Sequence, residues 1–498
     1  MRLNFRNPAL AISILLCLAV PRELSAQHTV RYKLVELTLG GPISYYAFDG
    51  DGARLLNNAG GVSSSADTTL ADPFAPDFCF NPDCLLAHAY RWRNGVMTDL
   101  GSLVDGFNSS ASSLNDRGWS IGASQTGIIN PAGFPQLHAT LWIDRRIIDL
   151  GVVRGGSDSI GASINNAGQA VGLSDNGVAD PFSMFGVQAR TFLWEEGELR
   201  DIGTLGGPDA NPGPGCNNQR PGVIVGSSYT SFTPNATTGI PTQDPFLWEN
   251  GKMTDLGTLG GSVGIGQCAN KRLQVIGMSS LAIHPAACLT GETGCHAYLW
   301  QRGTMKDLGT LGGDNSEAIW INDAGEIAGS ADLTGNDLHD AVRWKDGQIL
   351  DLGTVIGDAC SRGRAINARG QIVGGSSDCR NFLHAFLWEE GGSMIDLNTV
   401  IPPGSGLQLT NALNINDRGE ILAKSIPVGI TPVDDHDFGH MVLLVPCHED
   451  RGDCVNVLAS ASGVEPAVST LARTPVRQQR TTRDAMRMWR ERLKPGTE

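Results

Sequence analysis

The chain has 498 residues, a formal net charge of −15 at pH 7, 63 glycines and 11 cysteines. So acidic a chain lacks the basic face that binds nucleic-acid phosphates, which excludes nucleic acid as a partner. The length alone would allow three domains, but an internal repeat covers most of the chain and sets its organisation instead.

Residues 1–26 have the pattern of a secretory signal peptide. Arg2 and Arg6 precede the short apolar run ALAISILLCLAV, and a small residue, Ala26, stands at the expected cleavage site. The run is shorter than the roughly 20 apolar residues that a membrane span needs, and no later segment is long enough. We therefore expect an exported protein, extracellular or periplasmic, without a transmembrane segment.

Residues 27–458 repeat one unit. The phrase DLGTLGG stands at residues 255–261 and again at 307–313, and its aspartate recurs at intervals of 44–54 residues. The aspartate positions are Asp99, Asp149, Asp201, Asp255, Asp307, Asp351 and Asp396. A self-similar period of this length is typical of propellers, solenoids and other arrays.

Each unit contains four short apolar runs separated by Asn, Asp and Gly. In the sixth unit they are strand a (residues 317–322), strand b (326–330), strand c (341–344) and strand d (348–353). Such runs predict β-hairpins, and the repeat lacks helical periodicity. The Asn at the end of strand a is suited to bond the backbone two residues on, and DLGTLGG is expected to cross to the next unit.

The two ends of the repeat are complementary. Strand a occurs eight times, beginning near Tyr45, and strand c also occurs eight times, but the last strand c has no strand d after it. Residues 31–41 read as the missing strand d, with no strand c before them. Such an offset closes a ring and removes open sheet edges. We therefore predict an all-β, eight-bladed β-propeller closed by its N-terminal strand. Units four and five lack the Ile-Asn pair, so seven blades is the alternative.

The arrangement resembles the HAF repeat family of bacterial extracellular proteins, whose name describes the His-Ala-Phe found here at residues 384–386. Strand c, the DLGTLGG link and the a–b hairpin recur in this order over most of the chain. The resemblance implies export from a bacterium and a propeller-like β fold. It implies no activity and no catalytic residues.

Three repeated positions are expected to be structural, because a catalytic or metal-binding group is not needed in every blade. Strand c carries tryptophans expected between blades at Trp92, Trp142, Trp194, Trp248, Trp300, Trp344 and Trp388. It begins with histidines at His88, His138, His296, His384 and His440. The repeated aspartate is expected to accept backbone N–H groups at the crossover.

Ten cysteines remain beyond the signal peptide, an even number that indicates disulfides in an oxidising compartment. The expected pairs are Cys79–Cys84, Cys288–Cys295, Cys360–Cys379, Cys447–Cys454 and, from neighbouring units, Cys216–Cys268. The chain has no Cys-x-x-Cys pair, so a structural zinc site is not expected.

The connections between strands b and c vary most from unit to unit. In a propeller they share one face, called here the b–c face, with the links from strand d to the next strand a. Their unique aromatic residues are the candidate ligand-binding residues, although some are expected to form small loop cores. They are Phe74, Phe78, Phe80, Phe134, Phe182, Phe185, Tyr229, Phe232 and Phe438.

The sequence therefore predicts a binding or scaffold module for an unknown protein or glycan. It lacks Gly-x-Ser-x-Gly, His-Glu-x-x-His and phosphate-loop motifs, so no catalytic residue is assigned. The alternative is a propeller-type hydrolase or lyase acting on extracellular glycans, with His284, His339 and His436 as unrepeated candidates. Oxygen-rich segments at residues 48–52 and 332–340 lack EF-hand spacing, and we expect no metal and no cofactor.

Residues 459–498 form a linker followed by a short basic segment. At residues 482–493, a helix would place Ala485, Met488, Trp489 and Leu493 on about one side. We favour a flexible end or a helix docked on the acidic body, with membrane-surface binding as the alternative.

Overall fold

A computed structural model describes residues 31–42, 44, 52–81, 83–144, 146–183, 185–215, 220–285, 287–290, 293–430, 439–447, 454 and 457–460. These residues form eight consecutive antiparallel blades of a β-propeller. Blades four and five are joined by a single parallel pair, Gln243 and Val263, so the eight blades make seven hydrogen-bonded sheets. The predicted all-β fold is confirmed, with eight blades.

The first half of the chain supplies β1 and blades one to four. Strand β1 is Arg31–Thr38. Blade one contains β2 (Val62–Ala71), β3 (Leu85–Arg93) and β4 (Val96–Gly101). Blade two contains β5 (Ser109–Leu114), β6 (Ser120–Ile129), β7 (Pro135–Ile143) and β8 (Arg146–Asp149). Blade three contains β9 (Ser159–Ile164), β10 (Ala170–Ala179), β11 (Val187–Glu195) and β12 (Glu198–Asp201). Blade four contains β13 (Ala210–Pro212), β14 (Val223–Pro234), β15 (Pro241–Glu249) and β16 (Lys252–Asp255).

The second half supplies blades five to eight. Blade five contains β17 (Gly260–Ala269), β18 (Val275–Leu281), β19 (Cys295–Gln301) and β20 (Thr304–Asp307). Blade six contains β21 (Gly312–Ile321), β22 (Ile327–Leu333), β23 (His339–Lys345) and β24 (Gln348–Asp351). Blade seven contains β25 (Cys360–Ile366), β26 (Ile372–Ser377), β27 (Phe382–Trp388) and β28 (Ile395–Asp396). Blade eight contains β29 (Leu407–Ile415), β30 (Ile421–Pro427), β31 (His440–Cys447) and, as its fourth strand, β1, with β32 (Val457–Ser460) beyond it.

Helical structure among the described residues is limited to one four-residue α-helix, α1 (Ala287–Thr290), and a 3-10 turn at Leu397–Thr399. No helix among the described residues is long and apolar enough to cross a bilayer.

The ring closes through its N-terminal strand, as the complementary ends predict. Strand β1 pairs antiparallel with β31 from Arg31 opposite Cys447 to Leu37 opposite Met441. Strand β32 adds a parallel edge, with Val35 opposite Val457. Closure therefore joins the two ends of the chain within one blade.

The repeated tryptophans lie between blades, where the sequence places them. Trp142 of blade two is 1% exposed and packs with Ala89 and Leu100 of blade one. Trp344 of blade six donates its indole N–H to the carbonyl oxygen of Leu308, in the link leaving blade five, at 3.0 Å. Because each ring buries a large apolar area against the preceding blade, the series stabilises the contacts between blades.

Strand b of blades one to four is longer than predicted. The strands β2, β6, β10 and β14 have 10–12 residues, and each continues past an irregularity in its pairing with strand c. The last pairs join Ala71 with Leu85, Ile129 with Pro135, Ala179 with Val187, and Pro234 with Pro241. Much of the predicted b–c loop is therefore a β-hairpin extending from the ring. We call these four extensions the arms (residues 68–86, 126–136, 176–188 and 230–242).

Two blades depart from the expected strand pattern. In blade one, the turn expected after strand a lies at Asn57, and only a single bridge, Leu56 to Val62, stands where the first strand was expected. In blade five the Ile-Asn pair is replaced by Ala269 and Asn270, and Asn270 still accepts the N–H of Arg272 as the other turn asparagines do. The predicted signal peptide, Tyr45, residues 48–51 and the segment at 482–493 lie outside the described residues.

Candidate binding face

The repeated histidine or arginine of strand c and the repeated aspartate of strand d meet at the b–c face, because the two strands are antiparallel neighbours. His88, His138 and His296 each place Nδ1 2.9 Å from a carboxylate oxygen of their own blade's aspartate. Arg190 contacts Asp201 in the same way, at 2.8 Å. These pairs fix the outer edge of each blade, which confirms a structural role for the repeated histidines.

The repeated aspartates also accept the expected backbone bonds. The Oδ1 atom of Asp149 accepts the N–H of Gly151 at 2.7 Å, and the equivalent contact recurs in blades one and three to six. Burial alone would raise the pKa of Asp149, but the bonds from His138 and Gly151 outweigh it and hold that pKa low. The same carboxylate raises the pKa of His138.

Blades seven and eight form this contact differently. His384 contacts Asp358, at 2.9 Å, while Asp396 caps the 3-10 turn by accepting the N–H of Asn398. His440 contacts Glu36, which comes from the N-terminal strand. The closing strand therefore supplies the acid that a complete eighth unit would have carried.

Blades four and six have two acids at this position. Asp244 faces Asp255, and Asp340 faces Asp351, each as a side-chain pair across strands c and d. Burial, and then the neighbouring carboxylate, raise the pKa of Asp244 to about 7 and that of Asp340 to about 6. These pairs therefore retain a proton well above the ordinary range of an aspartate.

Exposed apolar side chains are concentrated on the b–c face. Fourteen large apolar residues are exposed among those the structure describes, and eleven of them lie in b–c connections or in a d-to-a link. The eleven are Leu70, Ile128, Ile129, Val178, Phe185, Phe232, Ile283, Leu338, Ile356, Val428 and Ile430. The other three, Val96, Ile147 and Leu350, lie on outer strands. Most of the exposed large apolar residues of the described ring are therefore on the b–c face.

The arms are held to their neighbours at their turns. Asp72 accepts the side-chain N–H of Asn108, Asn130 donates to Asp158, and Asn235 donates to Ser262, each at 2.9–3.0 Å. Each contact joins one blade's arm to the first residues of the next blade. Because these bonds fix the arms before any partner arrives, little conformational entropy is lost on binding.

The predicted aromatic residues divide into exposed and packed groups. Phe185 and Phe232 are 56% and 61% exposed, on the arms of blades three and four. Phe78 and Tyr229 are buried, whereas Phe74, Phe80, Phe134 and Phe182 are half-buried. Phe78 packs edge-on against Phe134 and Phe74 against Phe107, both with ring centroids 5.5 Å apart. The structure therefore joins the first two arms through a small aromatic core, and Phe438 lies outside the described residues.

Four of the predicted disulfides are present: Cys79–Cys84, Cys288–Cys295, Cys360–Cys379 and Cys447–Cys454. Cys268 is also disulfide-bonded, and its predicted partner Cys216 lies outside the described residues. The first two bonds close connections on the b–c face, so they limit the motion of the chain there.

The opposite face carries a feature that the sequence did not reveal. The Asn that ends strand a accepts N–H groups two and four residues on, as Asn416 does from Arg418 and Glu420 at 3.0 Å. Its Nδ2 then donates to the carbonyl oxygen of the equivalent Asn in the next blade. Six such bonds link Asn270, Asn322, Asn367, Asn416, Asn57, Asn115 and Asn165 in that order, at 2.8–3.1 Å. Asn165 is the last of the series within the described residues, and its Nδ2 bonds Gln169 of its own turn, as the Nδ2 of Asn270 bonds Gln274.

Two of the three unrepeated histidines, His284 and His339, lie within the described residues. His339 is half-buried, and burial lowers its pKa. The charges of Asp332, Arg362 and Glu317 also act on this pKa, and that of Asp332 has the largest effect of the three. His284 lies beside Gly294, and His436 is outside the described residues. The segment at 332–340 is occupied by turn contacts, including Asn315 to Asp332 and Asp314 to Asn336.

The strand topology and the apolar face together define an eight-bladed β-propeller elaborated on one side. No family model and no curated protein matches the chain. Among solved structures, the β-propeller domain of the Trilobed protease from Pyrococcus furiosus is 8% identical, with a TM-score of 0.40, over 67% of this chain and 92% of that one.

Two peptidases also match. Dipeptidyl peptidase 4 of Porphyromonas gingivalis is 9% identical, with a TM-score of 0.44, over 78% of this chain and 61% of that one. The acylaminoacyl peptidase of Pyrococcus horikoshii is 11% identical, with a TM-score of 0.40, over 78% and 58%. This chain thus spans about three fifths of each peptidase, and similarity at this level carries no inference about activity.

Proposed function

We propose that the protein is an exported, HAF-type binding module that holds a partner on the b–c face. The observation that carries the proposal is that eleven of the fourteen exposed large apolar residues in the described part of the chain lie on that face. Exposed apolar groups that cluster on one surface mark interaction sites, whereas isolated ones do not. The disulfides support export, because such bonds persist in oxidising compartments.

The chemistry of the exposed side chains favours a protein partner over a glycan. Nine of the eleven residues are aliphatic, and the remaining two are Phe185 and Phe232. These side chains offer apolar area without hydrogen-bonding groups, which suits the desolvated centre of a protein interface. A sugar would require many more polar contacts, since its hydroxyl groups lose water on binding.

The proposal is tested by screening the labelled protein on a peptide array and a glycan array, with ester and glycan hydrolysis assays beside them. A double variant, Phe185→Ser with Phe232→Ser, removes the two exposed aromatic rings of the arms. The matched control is Val96→Ser, because Val96 is as exposed as Phe185, at 56%, but lies at the c–d hairpin on the opposite side.

We expect peptide-array signals that the double variant loses and the control keeps. Turnover of a glycan or an ester by the wild type, with no array signal, would instead support the hydrolase or lyase. Signals that survive in the double variant would place binding elsewhere on the molecule.

A further inference from the structure

A group of oxygen-bearing side chains lies at the base of the blade-one arm. Asp67 is on strand β2, Asp72 follows that strand, and Asn81 and Asp83 lie between the disulfide-bonded Cys79 and Cys84. Asp67, Asp72 and Asn81 are each at most 2% exposed, and Asp83 is half-buried. The short disulfide loop thus holds an amide and a carboxylate against a carboxylate buried in the blade.

The oxygens of this group are unequally supplied with hydrogen-bond donors. Asp72 accepts bonds from the N–H groups of Phe74 and Phe80 and from Asn108, at 2.8–2.9 Å. Asp67 accepts one bond, from the Nδ2 atom of Asn81 to its Oδ1. Three buried oxygens, Oδ2 of Asp67, Oδ1 of Asn81 and Oδ2 of Asp83, receive no donor. Buried acceptors without donors are costly, so such a group needs a ligand.

The charges around Asp67 point to a positive ligand. The charged side chains that interact with Asp67 are Asp83, which faces it side chain to side chain, and Asp72. Both are carboxylates. A cation would neutralise the group, because two adjacent carboxylates cannot both stay ionised at low cost.

The equivalent position in other blades does not share this deficit. Asp175 of blade three occupies the same place on strand b as Asp67, because Asp175 pairs with the residue before Arg190 just as Asp67 pairs with the residue before His88. Its oxygens accept the N–H groups of Ser157, Asp158 and Gly177, at 2.6–2.9 Å. In blade two the place is taken by the neutral Gln125. At this position of strand b, the unsatisfied carboxylate therefore occurs in blade one and not in blades two and three.

We propose that Asp67, Asn81 and Asp83 bind one Ca²⁺ ion. Calcium takes carboxylate and amide oxygens as ligands and completes its shell with carbonyl groups and water. No three His, Cys, Asp or Glu side chains converge as metal ligands anywhere in the described residues. Two carboxylates and one amide are a sparse set, suited to the millimolar affinities of extracellular sites. The sequence analysis expects no metal, because Asp67, Asn81 and Asp83 do not have the spacing of an EF-hand loop.

Equilibrium dialysis against calcium after treatment with EDTA tests the proposal directly. At about 5 mM CaCl2, above the roughly 10⁻⁴–10⁻³ M dissociation constants of extracellular sites, we expect one ion per chain and a rise in Tm. Asp67→Asn and Asp83→Asn should each lose the bound ion and the rise in Tm. The matched control Asp175→Asn should keep both. Near-ultraviolet circular dichroism checks that each variant is folded.

Two results would overturn the proposal. One is a folded wild-type protein that binds no calcium; the other is Asp67→Asn binding as much as wild type. The proposal would also be overturned if calcium leaves Tm unchanged while Asp67→Asn raises Tm at pH 8. In that case Asp67 and Asp83 share a proton in place of a calcium ion. The site is independent of the proposed partner, so its failure leaves the array experiment unaffected.

Discussion

At the scale of single residues, two repeated positions stabilise the ring from opposite faces. On one face, cationic or neutral side chains at the start of strand c hold the aspartate of strand d. On the other, asparagines pass hydrogen bonds from blade to blade. The repeat predicted that the aspartate of strand d and the asparagine of strand a bond nearby backbone N–H groups, since these contacts depend only on neighbouring residues. It did not predict the Asn bond between blades, because that bond joins residues about 50 positions apart and has no local signal.

Asn416 tests the blade-to-blade bonds at the closing seam. Asn416→Ala removes the side-chain oxygen that accepts the N–H groups of Arg418 and Glu420. It also removes the hydrogen bond from Asn416 Nδ2 to the carbonyl oxygen of Asn57, and leaves the partner groups in the interior. We expect a loss of about 2–4 kcal/mol in the free energy of unfolding, measured by urea denaturation. The exposed neighbour Asn58, which bonds Asp417 across the same seam, is the control. Asn58→Ala should cost less than about 1 kcal/mol; equal losses would show that the buried bond has no special weight.

Asp244 predicts a pH dependence of stability. Because its pKa rises from 3.8 to about 7 on folding, the native protein binds more protons than the unfolded chain between these values. The acid pair therefore contributes fully to the free energy of unfolding below about pH 4, and this contribution is lost as the pH rises towards 7.

Asp244→Asn, which mimics the protonated acid, should stabilise the protein at pH 8 by on the order of 1 kcal/mol and have little effect at pH 4. Thermal melts at both pH values check this. Asp149→Asn changes the strand d aspartate that corresponds to Asp255, in a blade where it faces a histidine, and should instead destabilise the protein at pH 8. If Asp244→Asn stabilises the protein equally at both pH values, Asp244 does not bind an extra proton in the folded protein.

At the scale of elements, strand order and turns followed from the sequence, but the length of strand b did not. Residues 126–136 and 230–242 are rich in Pro, Gly, Asn and Thr, which indicate loops in sequence. They form hairpins because the paired strands continue beyond the ring and because Asn130 and Asn235 bond the next blade. The conformation of these segments is set by the register across each hairpin and by contacts between blades. Neither can be read from the local sequence pattern.

The arm of blade four should be dispensable for folding. Replacing residues 231–241 with Asn-Gly removes the exposed Phe232 and the Asn235 bond to Ser262, but no core residue of the ring except Ile240. We expect the free energy of unfolding to change by about 1 kcal/mol, because shortening a surface hairpin has a small entropic effect.

Removing residues 69–84 from the blade-one arm should cost more, about 2–4 kcal/mol. That arm contributes the Asp72 contacts and the Phe78 packing against Phe134. Urea denaturation of both deletions checks the contrast, and a blade-four deletion that unfolds the ring would show that the arms are part of the core.

At the scale of the whole molecule, the N-terminal strand closes the ring by completing blade eight. The offset of the strands in sequence predicted this closure, and the pairing of β1 with β31 confirms it. The count of eight depended on blades four and five, where sequence degeneracy had left seven open. Both blades keep four strands because the backbone pairing persists where the Ile-Asn signal is lost.

A disulfide across the seam tests the closure and its register. Lys33 lies opposite Val445, at a distance that two cysteines can bridge in an antiparallel pair. Lys33→Cys with Val445→Cys should form a bond that joins the N-terminal strand to β31, detected by non-reducing peptide mapping. Lys33→Cys with Leu443→Cys, two residues out of register, is the control and should cross-link far less. Efficient bonding in the control alone would mean a different register.

Binding by the b–c face is the central claim, and titration of one array-selected peptide tests it most directly. The dissociation constant is measured for wild type, for Phe185→Ser with Phe232→Ser, and for Val96→Ser. Loss of two exposed aromatic anchors should weaken binding at least about tenfold, since each anchor contributes about 1 kcal/mol or more. Val96→Ser should leave the constant unchanged. Equal constants for the wild type and the double variant, or weakening by Val96→Ser alone, would contradict the claim.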